Sequence, residues 1–176
     1  LSDYSSRKSS KKNNKKQDKK HNTLTVTNEI KSWICDCEDY EFSIDGTTVI
    51  AKSQRLSSLE NLLKDKGNGI RILHRGITLA ENKGKNWQPH PSLAMSTSLN
   101  KDSFPRAELS YEQAIAYLRK EAVILDPSVP KGYVLLTYKD TPIGFVKNIG
   151  NRANNLYPQE WRIRSGYMPD EVRTVF

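Results

Sequence analysis

Apolar and polar positions along the chain change period several times, and each change marks an element. Tyr40, Phe42 and Ile44 alternate with polar neighbours, Asp45-Gly46 supplies turn chemistry, and "TTVIAKS" returns, which predicts a β-hairpin. Leu56, Leu59, Leu62 and Leu63 then follow helical spacing, and "KGNG" after them is a glycine-rich helix stop. "IRILHRGITLAENKG" (residues 70–84) predicts two short strands around Arg75-Gly76. "WQPHPSLAMSTSL" predicts a loop and a short helix near Pro91, whose fixed φ suits a first helical position. Residues 31–108 therefore read as an α+β lobe.

The next stretch has the clearest helical period. Ser110 and Gln113 form an S-x-x-Q capping box, and Tyr111, Ala114, Ile115, Leu118 and Ala122 fall on one face. Pro127 and Pro130 break the chain after it. "AVIL" (residues 122–125), "GYVLLTYK" and "PIGFVKNIG" read as strands, with "KDTPIG" a tight turn between the last two. In "YVLLTY" both alternating faces are apolar, Tyr133 and Leu135 on one and Val134, Leu136 and Tyr138 on the other, so this strand is covered on both sides. Short strands with one packed helix predict a small, partly closed barrel over residues 109–176.

Charge separates the N-terminal stretch from everything else. The chain carries 28 Lys/Arg against 20 Asp/Glu, a net +8, and residues 1–20 alone hold eight Lys/Arg and two Asp. The remainder is nearly balanced, so the basic character resides mostly in the tail. Almost without apolar residues, that tail cannot offset the entropy of ordering, and residues 1–30 read as a disordered basic linker. "TLTVTNEI" at its end is a weak candidate for a short strand. Basic tails bind nucleic acid in some proteins and are soluble spacers in others. No apolar run approaches the ~20 residues of a membrane span, so no membrane partner is expected. The chain opens with Leu1 and shows no signal peptide, which suggests a fragment of a longer cytoplasmic protein.

Motifs for catalysis are absent. No G-x-G-x-x-G follows a strand, no Walker-type loop or G-x-S-x-G elbow is visible, and the pairs Glu38-Asp39 and Asp170-Glu171 read as solvated surface. Cys35 and Cys37 are too close for an easy disulfide and supply at most two zinc ligands, while His21, His74 and His90 stand far apart. Neither a catalytic nor a metal site is expected. The positive signals point to a polyanion. Lys147, Arg152, Asn155 and Tyr157 leave one hairpin within a dozen residues, and Arg162 and Arg164 follow in "WRIR". In the first lobe Arg75, Lys83, Lys85 and Trp87 give a similar mixture of cations and rings. Cations fix phosphates, amides read base edges or sugars, and rings stack on unpaired bases. Taken singly, each of these residues is as compatible with ordinary surface or core.

The stretch "KGYVLLTYKDTPIGFVKNIGNRANNLYP" carries Gly132-Tyr133, Pro142-Ile143-Gly144-Phe145, Lys147, Asn155 and Tyr157-Pro158 in sequence. It resembles the C-terminal PUA-like module of RsmF-type bacterial ribosomal RNA cytosine-C5 methyltransferases of the Sun/Nop family. "ILHRGITLAENKGKNWQPHPSLAMS" is similar to the segment before that module, and "LSYEQAIAYLRKE" to the helix between the two lobes. The likeness covers roughly residues 40–168. His90-Pro91 shifts the loop after Trp87 relative to the family pattern, and the basic tail fits no family motif.

The resemblance implies a PUA-like second lobe that binds small-subunit ribosomal RNA. It also implies an upstream domain, outside this chain, that holds S-adenosylmethionine and two catalytic cysteines. Cys35 and Cys37 lack the motifs around those cysteines, and no cofactor is expected in this segment. Two alternatives stand beside RNA binding: a structural module that braces the catalytic domain with little RNA contact, and an independent enzyme.

Overall fold

The computed structural model describes residues 25–65, 73–84 and 86–167. The helices are α1 (Asn28–Lys31), α2 (Gln54–Asp65), α3 (Pro91–Ala94) and α4 (Tyr111–Leu118). Strands β1 (Tyr40–Asp45), β2 (Thr48–Ser53), β3 (Ile77–Lys83) and β4 (Asn86–Pro89) form one sheet in that order. Strands β5 (Arg106–Glu108), β6 (Gly132–Tyr138), β7 (Thr141–Asn148) and β8 (Ala153–Asn155) form the second. The architecture is α+β, as expected.

The first sheet is an antiparallel meander. Its opening hairpin closes at Asp45↔Thr48 around Gly46, whose φ of 58° is one that glycine adopts freely. Phe42 and Ile44 pack toward the core from β1. Among the described residues of the stretch 70–84 there is one strand, β3, and Leu73–Arg75 are irregular; residues 70–72 lie outside the described residues, as does the "KGNG" stop. Of the expected N-terminal linker, residues 1–24 lie outside the described residues. At its end the candidate strand is replaced by the start of α1, which Thr27 caps and which buries Ile30.

Helix α2 turns its polar side inward. Ser57 and Glu60 are buried, while Leu59 and Leu62 are 50% and 61% exposed. The outer face of β1 and β2 explains this. Lys52 Nζ lies 3.1 Å from Glu60 Oε2, and Ser57 Oγ donates to Glu41 Oε2 at 2.5 Å. A helix over a sheet face that carries Glu41 and Lys52 gains more from matching those charges than from burying leucines there.

In the second sheet β5 runs parallel to β6, and the other pairs are antiparallel. The turn between β6 and β7 is the two residues Lys139 and Asp140, with φ of 48° and 60°. The two faces of β6 separate as its alternation predicts. Leu135, with Phe145 of β7, joins a core containing Trp33, Leu79, Leu93 and Phe104. Val134, Leu136 and Val146 join a second core with Ala114, Tyr117 and Tyr157. The β5–β8 sheet therefore lies between the first sheet's core and α4. Phe104 couples the two halves, its ring centroid 5.1 Å from Trp33 and 4.9 Å from Phe145. Burying one such side chain stabilises by roughly 1.5–3 kcal/mol. The adjoining Pro105 carbonyl accepts from Leu135 N at 2.8 Å, so the segment between the halves is tied down.

Helix α4 starts at the expected capping box, Ser110 N donating to Gln113 Oε1 at 2.9 Å and Gln113 N to Ser110 Oγ at 3.2 Å. It stops earlier than the apolar stripe predicts, and Ala122 is exposed beyond it. Lys120 takes the left-handed conformation (φ 69°). Its N–H donates to Tyr117 O, and the Glu121 N–H donates to Ala116 O, both at 2.9 Å. That pair of bonds is a Schellman stop built on lysine where glycine is usual. "AVIL" forms no strand and contributes the isolated bridge Val123↔Ala153. Among the described residues no pairing joins β5 to β8, and the sheet is open.

Candidate nucleic-acid interface

The end of the β6–β7 ribbon carries the first group of cations. Lys147 sits on β7 opposite Tyr133, and its ammonium lies 5.4 Å from that ring's centroid. Such a cation–π contact holds a lysine in place without consuming its hydrogen-bond donors. Arg152 is exposed in the turn between β7 and β8, where its carbonyl accepts from Ile149 N at 3.0 Å. Arg152 and Lys131 line a hollow of about 500 Å³ bounded by residues 122–130 on one side and the 148–153 turn on the other.

Asn155 and Tyr157 have different surroundings from the exposed cations. Asn155 Nδ2 donates to Tyr117 O at 2.8 Å and Glu121 O at 3.0 Å, and its Oδ1 accepts from Tyr157 N at 2.9 Å. Tyr157 is buried, 5.3 Å from Tyr117 and 6.1 Å from Trp161 between ring centroids. These two residues pin β8 and the chain after it to the end of α4. Lys120 completes the joint: its ammonium donates to Asn155 O at 2.7 Å and to Tyr157 O, and burial of that ammonium lowers its pKa.

Arg162 and Arg164 are exposed on the segment that this joint positions, which Ile163 N ties to Leu118 O at 2.9 Å. With Arg119 and Glu121 they line a second hollow of about 300 Å³. Arg119 Nη2 donates to Tyr167 O at 3.1 Å, while its buried Nε has no partner among the described residues. Trp161, 47% exposed, stands on the same segment. Glu121 lines this second hollow and the next residue, Ala122, lines the larger one; Arg119, Arg162 and Arg164 belong to the second hollow and Lys131 and Arg152 to the larger.

The first-lobe cations have acidic neighbours. Arg75 Nη1 is 3.9 Å from Glu60 Oε2, and Lys83 Nζ is 2.7 Å from Glu81 Oε1. Trp87 packs against the core. Lys85 lies outside the described residues. Neither Arg75 nor Lys83 lines the two hollows beside α4.

Arg119 and Lys131 are absent from the sequence-based set. Arg119 follows directly on a helix whose sequence signal is its apolar face, and Lys131 precedes β6, at the end of the hairpin away from its turn. Among the described residues no group of three His, Cys, Asp or Glu side chains is arranged to hold a metal ion. No helix there is long and apolar enough to cross a membrane.

Residues 104–163 match the family model described as the methyltransferase RsmF PUA domain. A "Ribosomal RNA small subunit methyltransferase F" of Shigella boydii serotype 4 (strain Sb227) is 31% identical over 133 residues, covering 74% of this chain and 24% of that protein. The protein of that name from Escherichia coli O9:H4 (strain HS) is 37% identical over 93 residues, 52% of this chain and 19% of the relative. Its counterpart from Erwinia tasmaniensis is 30% identical over 93 residues, with the same shares covered. The chain matches 19% to 24% of the length of these relatives. Residues 104–163 belong to the RsmF PUA-domain family, and the chain is of the RsmF C-terminal type.

Proposed function

We propose that this chain is the RNA-binding part of a small-subunit ribosomal RNA methyltransferase. The observation that carries this reading is the coincidence of the RsmF PUA-domain match with exposed Arg152, Arg162 and Arg164 lining two hollows that reach the consecutive residues Glu121 and Ala122. Guanidinium groups at the mouths of such hollows meet phosphate oxygens in paired, charge-assisted hydrogen bonds. Lys147 adds a fourth cation on the ribbon, while Asn155 and Tyr157 act by holding the cationic segments. Arg75 and Lys83, each beside a carboxylate, contribute less.

In this reading the chain gives affinity and register, and the chemistry belongs to an upstream catalytic domain in a cytoplasmic parent. That parent transfers a methyl group from S-adenosylmethionine to C5 of a cytosine. The described residues offer no glycine-rich turn between a parallel strand and a helix to hold the cofactor, so no chemical step is assigned to them. The bridge Val123↔Ala153, which extends the second sheet past β8, supports a PUA-like, barrel-forming tendency for residues 109–176.

A salt titration of binding to a small-subunit ribosomal RNA fragment, with and without residues 1–24, tests the proposal. Each displaced counterion contributes a slope near −0.7 to −0.9 in log affinity against log salt. The shortened chain is expected to keep most of its affinity, with roughly two to four ions released. Loss of all binding with the tail favours the bracing reading. Leu59 and Leu62, exposed on α2, are the observation on that side.

A further inference from the structure

We propose that the hollow between residues 122–130 and the 148–153 turn receives one unstacked nucleobase, with Lys131 and Arg152 on the phosphates beside it. This rests on the RNA-binding reading and narrows it from a cationic surface to a receptor for single-stranded RNA. Val123, Leu125, Val129 and the rings of Pro127 and Pro130 make much of the lining, which suits the faces of a base better than its edges or a phosphate. At the lip Ile124 is 85% exposed, an apolar side chain with almost no cover from its own protein.

The hollow is held open by a buried amide. Asn148 Nδ2 donates to the carbonyls of Val129 at 3.0 Å and Pro130 at 3.1 Å, and its Oδ1 accepts from Gly150 N at 2.9 Å. One side chain thus joins both walls, and a receptor fixed in advance loses less entropy on binding. Lys131 lies against the turn, since a Cβ on Gly150 would stand 2.7 Å from Lys131 Cε.

Charge favours a nucleic-acid occupant over an acidic peptide. Lys131 and Arg152 face one lining carboxylate, Asp126, and across Glu121-Ala122 the neighbouring hollow sets three arginines against Glu121. An apolar slot between two cationic sides matches a base with a phosphate before and after it. A base inside a duplex cannot enter, because both its faces are stacked.

The test uses the full chain and short RNAs carrying 2-aminopurine, either single-stranded or annealed to a complement. The single strand is expected to bind about tenfold more tightly and to change its fluorescence on binding, in line with the energy of one stacked base. Ala122→Trp, at an exposed position on the lip, is expected to abolish the fluorescence change and weaken single-strand binding about tenfold. Ser128→Trp, at an exposed position further along the same wall, approaches the same space and should act alike. Equal affinity for duplex and single strand, or unchanged fluorescence with the native chain, would overturn the nucleobase receptor while leaving RNA binding intact. Binding of an acidic apolar peptide that Ala122→Trp blocks, with RNA affinity unaltered, would assign the hollow to a protein partner. Failure of the native chain to bind any RNA would remove the underlying reading itself.

Discussion

The Tyr117 hydroxyl occupies the space that a side chain on Gly144 would need: a Cβ there would lie 1.9 Å from Tyr117 Oη. Helix α4 therefore approaches β7 through one ring, whose hydroxyl donates to Phe145 O at 3.2 Å. Burial pushes the pKa of that hydroxyl far above its usual value, so it remains a donor throughout the working pH range. Gly144→Ala is expected to destabilise by about 2–4 kcal/mol, overpacking adding to backbone strain at a φ of 154°. Tyr117→Phe should lose only about 1 kcal/mol, the usual worth of one buried hydrogen bond. The Phe145 carbonyl still accepts from Leu156 N at 3.2 Å. Urea unfolding separates the two, and a Gly144→Ala as mild as Tyr117→Phe would contradict the close approach.

The β6–β7 turn places two non-glycine residues at positive φ, Lys139 at 48° and Asp140 at 60°. A two-residue hairpin loop with both φ values positive favours Asn-Gly. Replacing Lys139-Asp140 by Asn-Gly should stabilise the protein by about 1 kcal/mol through relief of left-handed strain. The contact from Lys101 Nζ to the residue 140 carbonyl, 3.1 Å, uses backbone and survives. An unchanged or lower melting temperature would mean that the native side chains compensate for the strain.

Periodicity revealed the elements whose sides differ in polarity and missed those decided by tertiary partners. The two faces of β6, the Asp45-Gly46 hairpin and the Ser110 cap were all legible, because each depends on residues adjacent in sequence. The inward side of α2 was not. Its leucines have helical spacing, but Glu41 and Lys52 on the sheet beneath draw in Ser57 and Glu60. The end of α4 was hidden for a related reason. Lys120 adopts a glycine-like conformation held by carbonyls of Asn155 and Tyr157, more than thirty residues away. The candidate site divides in the same manner. Exposed Arg152, Arg162 and Arg164 were visible as charge, while the structural bonds of Asn155 and the burial of Tyr157 required the fold.

Asn155 and Arg152 lie three residues apart and should fail differently. Asn155→Ala removes bonds to two carbonyls and to Tyr157 N, so a loss of about 3 kcal/mol is expected, at roughly 1 kcal/mol for each of the three hydrogen bonds. Arg152 makes no side-chain bond or ion pair among the described residues, and Arg152→Ala should leave the unfolding midpoint unchanged. Its effect is expected on RNA affinity instead, with the salt dependence shallower by about one ion. Thermal unfolding and an affinity series over salt, run on both variants, distinguish a positioning residue from a contact. An Asn155→Ala protein of native stability that binds RNA weakly would reverse the assignment.

His90 gives the fold a specific response to acid. Its Nδ1 accepts from Ser92 N at 3.2 Å and caps α3, which packs on β3 and β7. Burial lowers its pKa below the ordinary 6.5; Glu81 acts against that shift, and His74 and Lys83 reinforce it. The folded state therefore resists protonation, whereas the unfolded chain takes up a proton near the ordinary value. Stability from this group is complete above about pH 6.5 and declines as pH falls toward the lower folded pKa, because the unfolded state then binds more protons. A protonated Nδ1 also cannot accept the Ser92 N–H. His90→Asn keeps a capping acceptor without a titrating ring, and His90→Ala should lose about 1 kcal/mol at pH 8. Melting temperatures of the native protein and His90→Asn, compared from pH 8 down to pH 5, should diverge on the acid side, the native protein losing more. Parallel curves would show that the imidazole is protonated as easily in the folded chain as in the unfolded one.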